Sequence, residues 1–135
     1  MDAWFKEAAQ GKDPHKRINV VDSPRPLRVE VNGVEVANTT KPRLLFEGSI
    51  PPRIYIPKDD CHMEFLKSTE LTTHCPYKGN ANYYTVQLPS GDKFDNIVWW
   101  YGEPSTSDAA GIKGYVSFYD TKVDLYLDGA LQARP

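Results

Sequence analysis

The alternation over residues 27–36 constrains the fold of this chain more than any other feature. Leu27, Val29 and Val31 are separated by Arg28 and Glu30; Asn32-Gly33 interrupts the run, and Val34 and Val36 resume it. A period of two gathers the apolar residues on one face of an extended strand, and Asn-Gly accepts the positive φ angles of a two-residue turn. The segment therefore reads as a β-hairpin.

The same pattern recurs along the chain. Leu44 to Phe46 is a short apolar run, and Arg53 to Ile56 alternates between prolines at 51, 52 and 57, which limits it to a short or edge strand. Met63 to Leu66 reads as a further strand. Tyr83 to Leu88 and Phe94 to Tyr101, rich in β-branched and aromatic residues, are joined by Pro89-Ser90-Gly91-Asp92 and predict a second hairpin. Tyr115 to Tyr119 is strand-like, and Val123 to Leu127 alternates into an Asp128-Gly129 turn. The stretch Val29 to Gly33 resembles Leu125 to Gly129, although such strand-and-turn units also recur by chance. Helical spacing is confined to Asp2 to Gln10, where Trp4, Phe5, Ala8 and Ala9 recur before Gly11 and Pro14, and to a helical turn or two near 107–113 opened by Ser107 and Asp108. Asp13 to Pro26, with a short strand candidate at Ile18 to Val21, reads as a connection laid over the surface. The expected architecture is a mainly β single domain, with 1–26 as N-terminal helix and connecting extension and 27–135 as the β domain.

The chain has 135 residues, 40% of them apolar and 25% charged, as one ordinary globular domain has. Sixteen lysines and arginines against 18 acids provide no bulk basic charge for nucleic acid, so no nucleic-acid partner is expected. An acid at position 2 and the lack of an apolar run behind it speak against a signal peptide, and no stretch reaches membrane-spanning length. Two cysteines, Cys61 and Cys75, make no disulfide framework, although one bridge between them is the alternative; they read as free thiols of a reducing compartment, which makes the expected location cytoplasmic.

Candidate chemistry centres on Thr72 to Gly79, T-T-H-C-P-Y-K-G, where a thiol, a phenol and an ammonium crowd between a proline and a glycine. Pro76 stiffens the backbone after Cys75 and Gly79 permits a tight turn after Lys78. A nearby cation such as Lys78 raises the thiolate fraction of a cysteine, but His74, next to Cys75 on an extended strand, points to the other face and is poorly placed as its base. A buried cysteine serving as a small hydrophobe is the plain alternative. Arg53 and Tyr55, two apart, share a face and suit a carboxylate or phosphate; the plain alternative has Arg53 paired with an internal acid such as Glu47 and Tyr55 in the core. Trp99 and Tyr101 share one face of their strand, with Trp100 on the other, and either line a pocket or fill the core. Cys61, His62, His74 and Cys75 have the composition of a zinc site but not its spacing, so no metal is expected. Asp59-Asp60 and Glu64 lack a second acidic cluster for an acid/base pair. No glycine-rich phosphate loop, Gly-x-Ser-x-Gly or helical histidine pair is present, and no cofactor is expected.

Several of these motifs together resemble the DUF427 family, a domain of unknown function also labelled nucleotidyltransferase-like. They are R-V-E-V-N-G-V at Arg28 to Val34, L-L-F-E at Leu44 to Glu47, P-P-R-I-Y-I-P-K-D-D at Pro51 to Asp60, T-T-H-C-P-Y-K-G, then Trp99, Tyr101, Pro104 and G-Y-V-S-F-Y at Gly114 to Tyr119. The resemblance spans roughly Leu27 to Arg134 and implies a compact, mainly β fold of complex, Mss4-like shape with the C-P-Y-K-G corner as a hallmark. Cys61 departs from the family pattern, where an apolar residue usually follows Asp60. The chain carries no paired-aspartate metal motif for two-metal phosphoryl transfer.

Two functions fit these residues. The first is a small anionic or polar ligand of unknown identity, held in a cleft bounded by Arg53, Tyr55, Cys75, Tyr77, Lys78, Trp99 and Tyr101, with Cys75 as nucleophile or Lys78 as acid or imine-forming amine if a reaction follows. The second is a non-catalytic interaction module whose aromatic face at Trp99, Tyr101 and Tyr115 docks a protein partner or a second copy, as in a homodimer.

Overall fold

A computed structural model describes residues 1–135. A short helix, α1 (Asp2–Ala9), precedes eleven strands: β1 (Ile18–Asp22), β2 (Leu27–Val31), β3 (Val34–Thr39), β4 (Arg43–Glu47), β5 (Ile50–Pro57), β6 (Leu66–Cys75), β7 (Gly79–Gln87), β8 (Lys93–Tyr101), β9 (Tyr115–Phe118), β10 (Asp124–Leu127) and β11 (Ala130–Leu131). The fold is mainly β, as the alternation predicts. A seven-stranded sheet runs β1-β4-β5-β9-β8-β7-β6 and a four-stranded sheet runs β11-β10-β2-β3, with every pairing antiparallel.

The small sheet is built from two like hairpins. Asn32 and Gly33 have φ of 49° and 77°, and Asp128 and Gly129 have 52° and 82°, so both turns use the left-handed pair that Asn-Gly and Asp-Gly favour. Val29 lies opposite Leu125 where β2 pairs with β10. The two similar stretches thus meet at equivalent positions, and the hairpins flank a local pseudo-twofold.

Alternation on the large sheet sorts its residues into two cores. Leu44, Phe46, Ile56, Val86, Val98, Val116 and Phe118 pack toward the small sheet and α1 around Leu27, Val29, Val36 and Trp4. The indole N–H of Trp4, itself 1% exposed, donates to Ser23 Oγ at 2.9 Å and fixes the helix. Leu45, Tyr55, Tyr83, Trp99 and Tyr101 point the other way and form a second cluster with Ile18, Ala81, Ala109 and Ile112, the latter two from a 3-10 helix at Ser107–Ile112.

Three local expectations change. The prolines of β5 do not confine it to a sheet edge, because it lies between β4 and β9. Pro51 and Pro52 fall where the β4 register shifts between Leu45 and Glu47, and β9 pairs with Ile56 and Pro57 alone, so neither proline is asked for a ladder hydrogen bond. Met63–Phe65 is a 3-10 turn, closed by Phe65 N–H donating to the His62 carbonyl at 3.0 Å, and extended structure begins at Leu66. Finally, the short strand candidate at Ile18 to Val21 forms β1, but it is ladder-paired at the edge of the large sheet, so this part of the connection is built into the sheet.

Candidate functional site

The T-T-H-C-P-Y-K-G segment forms the β6–β7 hairpin, with Cys75 paired to Gly79 across its turn. Lys78 N–H donates to the Cys75 carbonyl at 3.3 Å. Gly79 has φ +108°, and a Cβ there would meet the Glu103 carbonyl oxygen at 2.8 Å. The three carbonyls of the corner are tied to one loop: Ser105 Oγ donates to Pro76 at 3.1 Å, Thr106 Oγ1 to Tyr77 at 2.8 Å and Ser105 N–H to Lys78 at 3.2 Å. Backbone polar groups held this way fix the corner without help from neighbouring strands.

This anchoring aims Lys78 inward. Its ammonium lies 3.1 Å from Glu47 Oε1, with the two side chains 16% and 10% exposed. Arg17 reaches the other Glu47 oxygen at 4.0 Å and lays its guanidinium over the Tyr77 ring at 4.0 Å. Tyr77 is the exposed ring of the corner, while Cys75 is half-buried against the second cluster. His74 points to the opposite side and shares a 2.8 Å hydrogen bond with the exposed Asn80.

Next to this corner the rings interlock. Tyr55 is fully buried, and its hydroxyl accepts a 3.1 Å hydrogen bond from Trp99 Nε1. Tyr101 is buried, Tyr119 lies 4.8 Å from Trp99 between ring centroids, and Tyr83 exchanges a 2.9 Å hydrogen bond with Thr73. Burial pushes the Tyr55 and Tyr101 phenols well above the ordinary tyrosine range; the neighbouring Cys75, Tyr83 and Glu47 push Tyr101 further. Burial beside Tyr83 also raises Tyr119. These hydroxyls therefore stay protonated as donors across the physiological range.

Arg53 sits on the far side of Trp99, 5.7 Å above its ring, and faces Asp120 at 3.8 Å rather than Glu47. The fold thus brings Cys75, Lys78, Tyr77 and Tyr101 to one corner and places Arg53 across the aromatic layer. None of the principal surface grooves is lined by Tyr55, Cys75, Tyr77, Lys78, Trp99 or Tyr101. Cys61 and His62 lie elsewhere. Cys61 forms a bridge to Ala37, its thiol pushed up to about 12 by burial and by Asp60, and His62 contacts Glu35 at 2.8 Å, a contact that holds the Glu35 carboxyl below its usual range. Asp60 accepts a 2.7 Å hydrogen bond from Thr39 and serves the fold.

The model of a family described as a domain of unknown function (DUF427) matches residues 19–129. The chain belongs to the DUF427 family. No curated protein matches it. The DUF427 match covers the large sheet from within β1, the small sheet except β11, the corner and the aromatic layer. No helix of this DUF427 chain is long and apolar enough to cross a membrane.

Tyr83 and Tyr119 belong to the aromatic residues that the sequence offers as pocket lining or core filling, whereas Arg17 and the Ser105–Thr106 clasp are not legible as parts of this site. Tyr83 carries a readable signal, since pairing it opposite Trp99 in the second hairpin puts both rings on one face. Glu47 also carries one, being two residues from Leu45 on the same strand. Arg17 carries none, because its approach to Tyr77 depends on how the loop before β1 crosses the sheet.

Proposed function

We propose that the Lys78 corner binds a small anionic or polar ligand. The observation behind this is the Lys78–Glu47 pair, almost removed from solvent at 3.1 Å. Desolvating two charges costs several kcal/mol per ion, so such a pair adds little stability and is better explained by use. Lys78 is the cationic contact, with the exposed Tyr77 ring and the protonated Tyr101 hydroxyl beside it. Arg53 supplies a second cation across Trp99, and Tyr55 with Trp99 forms the rigid layer beneath.

Binding has more support than covalent chemistry. An ion-paired ammonium donates hydrogen bonds but has no free lone pair for an imine, which suits Lys78 to the role of donor or general acid. Cys75 has the Tyr55 and Tyr101 phenols for polar company, and these are acids rather than bases. A docking face on Trp99, Tyr101 and Tyr115 is less favoured, since Trp99 and Tyr101 keep 7% and 5% of their surface.

A thermal-shift screen against nucleotides, phosphates, carboxylates and aldehydes, run on the parent, Lys78→Met and Arg53→Ala, tests this. A compound that raises the melting temperature of the parent and loses its effect in Lys78→Met supports the site by mass action. A screen in which no compound loses its effect in Lys78→Met overturns it.

A further inference from the structure

The loop between α1 and β1 carries Lys12, Lys16 and Arg17, and its shape is set from within the sheet. Asn19 on β1 keeps 7% of its surface; its Oδ1 accepts from Asp13 N–H at 2.7 Å, and its Nδ2 donates to the Asp13 and Lys16 carbonyls at 3.2 and 3.4 Å. Lys16 N–H closes a turn onto the Asp13 carbonyl at 3.1 Å. The Asp13 carboxylate is turned onto its own loop, where it accepts the His15 N–H at 2.9 Å. A buried amide whose hydrogen bonds all go to one loop holds that loop ready-formed.

This loop, with Phe46 and Gly48, borders a groove of about 570 Å³, the size of a small-molecule site. Lys12, Lys16 and Arg17 line it against Asp13 as the one acid, on a chain whose net charge is −2. Their pairing is loose: Lys16 reaches Asp108 at 3.8 Å, Arg17 reaches Glu47 at 4.0 Å, and the Lys12 ammonium lies 5.1 Å over the Phe46 ring. Exposed contacts at such distances leave most donors of Lys12 and Lys16 unspent, while Arg17 also stacks on Tyr77.

We propose that this groove binds the phosphate or diphosphate group of a soluble small molecule. Two lysines and an arginine along one loop match the several oxygens of a phosphate better than the two of a carboxylate. Phe46 and Ala9 give the rest of the ligand an apolar floor. The groove lies on the Phe46 side of β4 and the Lys78 corner on the Glu47 side, with Arg17, which stacks on Tyr77, bordering both.

The test is a calorimetric titration of the full chain with sodium pyrophosphate, with backbone amide NMR shifts recorded in parallel. The expected shifts centre on residues 11–19 and 46–48. Lys12→Ala and Lys16→Ala should each weaken binding about tenfold, as the loss of one hydrogen bond to a charged group does, while Lys122→Ala binds like the parent. Both substitutions remove exposed side chains, and thermal melts confirm that the variants fold. The proposal fails if pyrophosphate leaves the groove amides unmoved, if affinity is unchanged in the two groove variants, or if chloride at equal ionic strength produces the same shifts.

Discussion

The Trp99 indole N–H donates to the Tyr55 hydroxyl at 3.1 Å across strands that do not pair, since β9 lies between β5 and β8. The rings meet edge to face at 88°. The bridge is feasible because Trp99 faces the small Ser117 on β9, whose own hydroxyl turns aside to donate to the Ile54 carbonyl at 2.7 Å. Trp99→Phe, which keeps a ring and deletes the donor, should cost about 1–3 kcal/mol. Urea denaturation should show a lower midpoint with an unchanged slope.

The buried phenols set an alkaline limit on stability. The folded protein keeps the Tyr55 and Tyr101 protons that the unfolded chain begins to release near pH 10.0, so stability is unaffected below that pH and falls as pH rises through it. Near-ultraviolet titration should show these phenols ionising together with unfolding. Tyr55→Phe should lessen the alkaline loss.

Gly79→Ala should be among the costlier single substitutions on the surface hairpins. It forces φ +108° on a residue with a Cβ and drives that carbon to 2.8 Å from the Glu103 carbonyl oxygen. A penalty of about 1–3 kcal/mol follows from the strained backbone, read as a drop in melting temperature.

The two thiols should react at different rates. Both thiols are half-buried, but burial and Asp60 push the Cys61 thiol up to about 12, which keeps its thiolate scarce, while Cys75 sits at the hairpin corner. Native-state alkylation followed by peptide mass mapping should find Cys75 modified first. Denaturant should erase the difference.

Glu47→Gln should destabilise the fold by about 2 kcal/mol, because it strands the Lys78 ammonium in a place with little water. Lys78→Met on top of it should restore part of the loss. A double-mutant cycle measured by chemical denaturation gives the coupling directly.

Strand-forming segments were legible where one face is buried and the other wet, as in β2 with its alternating pattern. Most of β6 was not, because it is an edge strand exposed on both faces, so Lys67 to His74 carries no apolar rhythm to read. The corner was legible as a site candidate from its dense chemistry, and the shared face of Trp99 and Tyr101 from their spacing. Whether those rings line a cleft or interlock depends on sheet curvature and on what the 3-10 helix covers, neither of which has a sequence period. The partners of Arg53 and Lys78 were hidden for a related reason: Asp120 and Glu47 are each brought in by strand order, not by proximity along the chain.

The clasp of Ser105 and Thr106 on Pro76 and Tyr77 joins positions 29 apart in the sequence. A loop fastened through its side chains to the carbonyls of a hairpin cannot swing over that hairpin as a cover; the two travel as one piece. Lengthening the 102–106 segment, a change that ordinarily passes unnoticed on a protein surface, would in this molecule unseat a lysine more than twenty residues upstream.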